Sequence, residues 1–585
     1  MNKEEKICQN HRLGGTSCQK TFEILPEDFN FYAKIKVPPP TFCPDCRLQR
    51  KLIFRNNRVL YRRECELCKK SILSNHSSDK SLVVYCHDCW LGDKWDPITY
   101  GQDYDFSKPF FEQWRALRER VPRTNLYQTN FISSEYCNYG LDIKSCYLLF
   151  GGVNDERVYF ANQIIDSRDS FDIDFSEKVE FSYELLECQR SNKLYFSRNS
   201  SDCADSYCLV DCRNCLNCFG CVGLVNKQYH IWNKPYSKEE YKSFLANANL
   251  GSFKAHLEFL ENLYKLSLQV PFRYARIYKS TNSSGNDLLE TNNTKYSFSS
   301  RNTEDSKYLF FVRGNKTDVY DTMFVASNGE LIYEMTSGFG GSNTAFGIRN
   351  LFNQNARYSE DCKDCTNIFG CEGLQKKQYC ILNKEYSKEE YEALVPKIIE
   401  HMDMMPFIDQ KDRVYKYGEF FPAEFSPFAY NESIAQEYFP FSKEEALEKG
   451  FVWKEDEVRN YKIEIETKDI PDSIKNTDKD IIGKVIACGH SGKCKDQCTE
   501  AFKILPDEFQ FYKNNNLPLP RLCPNCRHYE RMRKRNPLKL WHRQCMCEKE
   551  SHEHKSKCEI EFETSYAPER PEIIYCEKCY QQEVY

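Results

Sequence analysis

The sequence predicts a mainly β, multidomain chain, with a metal-held cysteine module at each end and two stacked parallel β-solenoid segments between them, plus short capping helices. Three observations predict this. Residues 18–65 match residues 498–545 without a gap, at an offset of 480. Residues 212–241 return at 362–391, at an offset of 150. In the centre, Tyr147, Tyr159, Phe171, Tyr183, Tyr195, Tyr207 and Phe219 stand 12 residues apart. Self-similarity at a fixed period marks repeated structural units.

The bulk numbers bound the rest. A chain of 585 residues holds several domains, and 41% hydrophobic content fills their cores. The net charge of -5 excludes a global polyelectrolyte. Charge is uneven, with 16 Lys/Arg against 10 Asp/Glu in residues 1–90 and 18 against 15 in residues 484–585, so the centre is acidic. Any polyanion would therefore meet the ends. No apolar leader opens the sequence, and no run of about 18 apolar residues follows. The expected location is cytoplasmic, where thiols stay reduced. There, paired cysteines among the 31 present favour metal over disulfides.

The N-terminal module carries Cys65, Cys68, Cys86 and Cys89 as C-x2-C-x17-C-x2-C. Two such knuckles converge on Zn²⁺ in a closed tetrahedral thiolate site. Cys43 and Cys46 form another knuckle, to be completed by Cys18 and Cys8, with His11 as a substitute for Cys8. In the C-terminal module Cys523 and Cys526 pair with Cys498 and either Cys488 or Cys494. A second site there would use Cys545, Cys547, Cys576 and Cys579, with Cys558, His552 and His554 as nearby extras. The expected content is about four zinc ions per chain, structural rather than catalytic, because no site keeps an evident open position.

The segments "ILPEDFNFY" and "PPPTFCPDCRLQR" (beginning at Ile24 and Pro38) resemble small bacterial zinc-ribbon or treble-clef domains over about 45 residues per copy. The whole layout resembles large microbial zinc-ribbon proteins without an established activity. Proteins of this look are sometimes labelled CoA-transferases, but no residues here compose an acyl-transfer site. The resemblance implies zinc-ribbon or treble-clef-like modules at both ends.

Seven segments are expected. They are a module over 1–100 with two zinc sites, a linker helix over 101–125, a first solenoid over 126–235 and a helical connection over 236–285. A second solenoid over 286–385, a helical and irregular covering segment with linker over 386–483, and a second two-site module over 484–585 complete the chain. Taking every third residue from Cys137 to Leu224 gives 30 positions, of which only Asp155 is charged. A 29% charged composition would place about nine charges there. The same frame from Ser299 to Leu374 has 26 positions and again one charge, Asp305. A 12-residue coil with four inward positions explains both runs; a broader helix with 24 residues per turn is the rival. The inward spacing resembles the 12-residue β-helix of insect antifreeze proteins, but the ice-binding Thr-x-Thr face is absent. Aromatics are expected to stack outside, from coil to coil.

Ser237 with Glu240, Ser387 with Glu390 and Ser442 with Glu445 form capping boxes that start helices. Residues 106–122 read as an amphipathic helix with Phe110, Phe111, Trp114 and Leu117 on one face. Residues 417–441 read as an irregular cover, and 467–483 as a polar linker.

Basic residues crowd behind the third knuckle of each module. Arg47, Arg50, Lys51, Arg55, Arg58, Arg62 and Arg63 lie in one copy; Arg527, Arg531, Arg533, Lys534, Arg535, Lys539 and Arg543 lie in the other. With Phe54, Tyr61 and Trp541 interleaved, they suit phosphates and unpaired bases. Two rival readings are docking on the acidic solenoid and plain solvation. Cys212, Cys215, Cys218 and Cys221 also leave three readings open: small core residues, an iron–sulfur or other metal site, and disulfides. No Walker loop, dinucleotide fingerprint, HExxH or nucleophile elbow is present, so an enzyme reading has no support. The functions expected are a zinc-dependent, non-catalytic scaffold whose basic modules bind nucleic acid, RNA included, or a protein-interaction scaffold using the solenoid surface. A thiol or iron–sulfur redox protein is the weaker alternative. No membrane partner or small-molecule substrate is indicated.

Overall fold

The computed structural model describes residues 3–12, 18–455, 459–554 and 556–584. It is mainly β and multidomain, with a β-solenoid centre, few helices and cysteine-rich modules at both ends. Two compact units are present, and they do not follow chain order. Unit 1 comprises Met1–Leu126, Ala275–Glu455 and Leu538–Leu540; unit 2 comprises Tyr127–Tyr274, Asp456–Pro537 and Trp541–Tyr585. Each unit therefore combines one terminal module with the solenoid remote from it in sequence. No helix among the described residues is long and apolar enough to cross a membrane.

In unit 2 the strands pair in parallel with partners 12 residues on: Tyr159 with Phe171, Phe171 with Tyr183, Tyr183 with Tyr195, and Tyr195 with Tyr207. The narrow coil is the one built. Every third residue points inward, so that Val158, Ala161, Ile164, Ile173, Val179, Leu185 and Leu194 share one core with the cysteines of the same frame. Two residues after each inward position, from Tyr139 to Trp232, the backbone takes positive φ. These left-handed corners close the coil as a narrow quadrilateral. Side chains branched at Cβ are the ones least able to adopt φ > 0, and no Val, Ile or Thr occupies a corner in this run. Gly220 is the sharpest case, since its φ is +64° and an added Cβ would lie 2.3 Å from the Trp232 ring.

Serine suits the interior because it satisfies itself and its neighbour. The Ser170 hydroxyl donates to the Arg168 carbonyl (2.7 Å) and accepts the Ser182 amide of the next coil (3.1 Å). Ser176 and Ser182 repeat the pattern with Cys188 and Leu194. A buried hydroxyl bonded in this way carries no desolvation penalty of an orphan group.

The second solenoid, in unit 1, is less regular, and the expected frame needs correction there. Thr303 pairs with Lys316 and Lys316 with Gly329, so two successive coils hold 13 residues before the 12-residue step from Glu330 to Ser342. The inward frame through Ile332, Ala356, Cys362, Cys365, Ile368, Cys371 and Leu374 holds beyond Gly329. Before it the frame slips, and Leu309, Val312, Val319 and Val325 face inward instead. Ser299, Asn302, Asp305, Tyr308 and Phe311 are corner residues with positive φ. Asp305 is thus not an interior charge.

The outer aromatic row is covered by the module of the same unit. Phe31 stacks on Tyr320 at 3.9 Å and 7°, and Tyr32 meets Tyr333 edge-on at 5.6 Å. In unit 2 Phe511 meets Phe171 at 4.5 Å, and Tyr512 meets Tyr183 at 5.2 Å. Phe31 and Phe511, like Tyr32 and Tyr512, are equivalent in the 480-residue duplication. One docking mode is used twice. The three capping boxes form as drawn from the sequence. The amphipathic helix spans Phe110–Arg120. It packs Phe110 on Phe369 and Trp114 on Phe421 of the covering segment. The stretch expected as a polar linker is pinned instead, with Ile470, Ile474 and Ile481 buried.

Candidate metal centres

Each module gathers its cysteines by the same local geometry. A short antiparallel strand pair precedes the second knuckle, and that knuckle's first cysteine caps a helix: Cys43 at Pro44–Leu52, Cys86 at His87–Leu91, Cys523 at Pro524–Arg533. The helix N-terminus favours a thiolate. The capping residue's amide points at the first cysteine of the site: Cys43 to Cys8 (3.2 Å), Cys86 to Cys65 (3.2 Å), Cys523 to Cys488 (3.3 Å) and Cys576 to Cys545 (3.2 Å). Burial raises the Cys65 thiol, but the amides of Cys68, Cys86 and Leu67 outweigh it and bring its pKa down to about 6.

Four sulfur tetrads result: Cys8, Cys18, Cys43 and Cys46; Cys65, Cys68, Cys86 and Cys89; Cys488, Cys498, Cys523 and Cys526; and Cys545, Cys558, Cys576 and Cys579. In each, all ligand atoms lie within 4.8 Å of one another. Cys8 to Cys46 is 3.9 Å, Cys68 to Cys86 3.8 Å, Cys488 to Cys526 3.8 Å and Cys558 to Cys576 3.9 Å. Metal–sulfur bonds of about 2.3 Å at tetrahedral angles place sulfurs about 3.8 Å apart; a disulfide needs about 2.05 Å. The donor sets fit a tetrahedral thiophilic cation, and all 31 cysteines, each among the described residues, stand outside disulfides.

One alternative left open by the sequence is resolved, and one ligand differs from the sequence reading. Cys8 and Cys488 complete the first site of their modules, while Cys494 stands as a fifth sulfur, 3.6 Å from Cys526. In the last site Cys558 takes the place expected for Cys547. Cys547 instead belongs with His552, His554 and Cys579 in a second group whose ligand atoms lie within 4.8 Å of one another. The missed signal was a change of offset. From Cys68 and Cys558 onward the two modules match at 490 rather than 480, so ten residues are inserted between Cys545 and Cys558.

Several of the basic residues behind the third knuckles are placed against carboxylates of the solenoid, and others meet the covering segment or their own module. In unit 1 Arg47 Nε lies 2.9 Å from Asp321, and Arg50 bridges Glu334 (3.2 Å) and Glu419 (3.0 Å). Lys51 is fully buried and 3.9 Å from Glu334, and burial lowers its pKa. Arg55 bonds Asn57 and Ser337, Arg58 faces Glu437 at 3.8 Å, and Arg63 pairs with Glu66 at 2.7 Å. In unit 2 Arg527 meets Asp172 (3.1 Å) and Glu508 (3.4 Å). Arg531 meets Asp174 (2.7 Å), Asp172 (3.1 Å) and Glu184 (3.1 Å), and Arg535 meets Glu187 (2.6 Å). Burial lowers the pKa of Arg531, but Asp174, Glu184 and Asp172 more than offset it and hold it above the ordinary value. Arg543 bonds backbone carbonyls of Tyr566 and Ala567. Arg62, Arg533 and Lys534 are exposed, with Arg533 paired to Asp496 at 2.8 Å.

Cys212, Cys215, Cys218 and Cys221 occupy the solenoid interior. Each sulfur lies within hydrogen-bonding reach of the carbonyl two residues back and of one nine residues on, as Cys212 does of Val210 and Cys221 (both 3.5 Å). They fill the same inward positions that serines occupy in other coils.

No protein-family model matches the chain, and no curated protein matches it. Among solved structures, a "putative acetyltransferase" from Desulfovibrio desulfuricans G20 is similar over 49% of this chain and 75% of its own, at 10% identity. Its TM-score is 0.11, and at that value the likeness carries no argument about fold or activity.

Proposed function

We propose that this protein is a zinc-dependent, non-catalytic scaffold. Tetrathiolate zinc sites hold each module, each module is docked on a solenoid, and the remaining solenoid surface is offered to a protein partner. Zinc is the cation this donor set favours, because four thiolates in a closed tetrahedron define a structural zinc site. The observation that carries the reading is the placement of Arg47, Arg50, Arg527, Arg531 and Arg535, all buried on solenoid carboxylates. Charges committed to an internal interface are not available to phosphates. This favours the scaffold over nucleic-acid binding, for which such residues must face solvent.

The test is a pair of measurements on the zinc-loaded chain. Fluorescence anisotropy with single-stranded RNA and duplex DNA at 50 and 200 mM salt is expected to show no steep salt-dependent binding. Changing Arg50, Lys51, Arg55 and Arg58 together to Ala is expected to destabilise the fold. Tight binding that falls steeply with salt, abolished by that variant while its thermal unfolding stays unchanged, would instead establish the basic segments as a nucleic-acid surface.

A further inference from the structure

The last centre of the C-terminal module has more ligands than one tetrahedral ion can use. Relative to the N-terminal copy, the ten residues inserted between Cys545 and Cys558 bring in Cys547, His552 and His554. All three converge on Cys579, which already belongs to the tetrad with Cys545, Cys558 and Cys576. Cys547 Sγ lies 3.1 Å from His552 Nδ1, and Cys579 Sγ lies 3.4 Å from His554 Nε2. Tetrahedral bonds of about 2.3 Å to sulfur and about 2.0 Å to nitrogen put such atoms about 3.5 Å apart.

The far side of each imidazole is equally informative. His552 Nε2 faces the Glu583 carboxylate at 3.5 Å. His554 Nδ1 is bonded to the Ser556 carbonyl. With His554 Nδ1 bonded to a carbonyl and His552 Nε2 turned to a carboxylate, the opposite ring nitrogens are the ones that face the sulfurs. Metal-bound histidines are oriented by this pattern of outer partners. Lys549 ties Glu583 from the other side at 2.6 Å, holding the inserted loop against the last helix, Glu577–Val584.

We propose that this centre is binuclear, with Cys579 as a bridging thiolate. One Zn²⁺ takes Cys545, Cys558, Cys576 and Cys579; the second takes Cys579, Cys547, His552 and His554. Charge supports the pairing. Four thiolates on one Zn²⁺ leave a charge of about -2, whereas the bridged pair, with five thiolates and two neutral imidazoles, carries about -1. A second cation thus relieves charge that the single site concentrates. The N-terminal module, with only two residues between Cys65 and Cys68, has no counterpart to these added ligands.

The inference rests on metal in the Cys545 tetrad, so the experiment separates the two claims. The full-length chain is loaded with zinc, desalted and its metal counted by mass spectrometry; a ¹¹³Cd-exchanged sample is observed by NMR. The expected content is about five ions per chain, with two cadmium resonances split by each other through the shared sulfur. His552→Ala with His554→Ala should lose one equivalent and collapse the splitting while the remaining resonances stay. His554→Cys, which keeps a ligand, should retain the fifth ion. Unchanged metal content in the double-alanine variant, with no splitting in the parent, would overturn the bridge and leave a thiol–imidazole hydrogen bond in its place. If Cys558→Ser also left the metal content unchanged, the tetrad itself would be wrong, a different failure with a different signature.

Discussion

Among the inward positions of the first solenoid, Asp155 alone is charged in the sequence, and the structure keeps it there, 1% exposed. Its Oδ1 accepts the Ser167 amide at 2.8 Å, the role serine plays in neighbouring coils. Burial holds its carboxyl well above the usual carboxylate range. The sign follows from linkage: the site's contribution to stability is complete below the unfolded value near pH 4 and is lost as pH rises through the raised folded value. Asp155→Ser keeps the acceptor and removes the titration. It should raise stability at pH 7 by about 1–2 kcal/mol and flatten the decline between pH 4 and 7 relative to the parent. Denaturant unfolding at several pH values reads this, and parallel profiles for the two proteins would count against a buried neutral Asp155. The residue pattern was partly legible from the start. The inward frame of the first solenoid could be read because it excludes charge. The corner frame was equally present, as a ban on Val, Ile and Thr, but an exclusion of three residue types makes less contrast than an exclusion of charge.

At the scale of elements, two helices per module do the docking. The pair Pro26–Ile35 and Pro44–Leu52 in unit 1 repeats as Pro506–Asn515 and Pro524–Arg533 in unit 2. The apolar half is the stack of Phe31 on Tyr320 or Phe511 on Phe171; the ionic half is arginine on solenoid carboxylates. A buried ion pair adds little over an apolar pair of the same shape, but removing one partner strands a charge. Arg531→Met leaves Asp174 buried without its guanidinium, while Asp172 keeps that of Arg527, and should cost about 3–5 kcal/mol. Urea unfolding monitored in the zinc-loaded chain measures it; a loss below about 1 kcal/mol would mean the helix is not seated as described. The helices themselves were legible through the 480-residue match and the knuckle spacing. Their destination was not, because nothing in a linear repeat says which solenoid a module meets. The acidic centre and basic ends carried the hint, and docking was one of the rival readings. The slip in the second solenoid was hidden for another reason. Two added residues, one in each 13-residue coil, leave the 150-residue match downstream intact while shifting everything before it.

For the whole molecule, the consequence is long-range closure. Each unit joins segments separated by more than a hundred residues, so its module and solenoid are completed by parts of the chain made far apart. Four cysteine tetrads that could hold metal lie within the modules. Filled as proposed, a structural site of this kind would contribute folding energy directly, and the metal would be the element on which the rest depends. The most direct test is the metal content of the purified, desalted chain, counted by inductively coupled plasma mass spectrometry before and after dialysis against a strong chelator. The account predicts at least about four zinc ions per chain, with their removal melting the module helices and releasing the arginine-bearing faces from the solenoids. Fewer than about two ions in a fully folded preparation, or helices and docking unchanged after complete chelation, would contradict it.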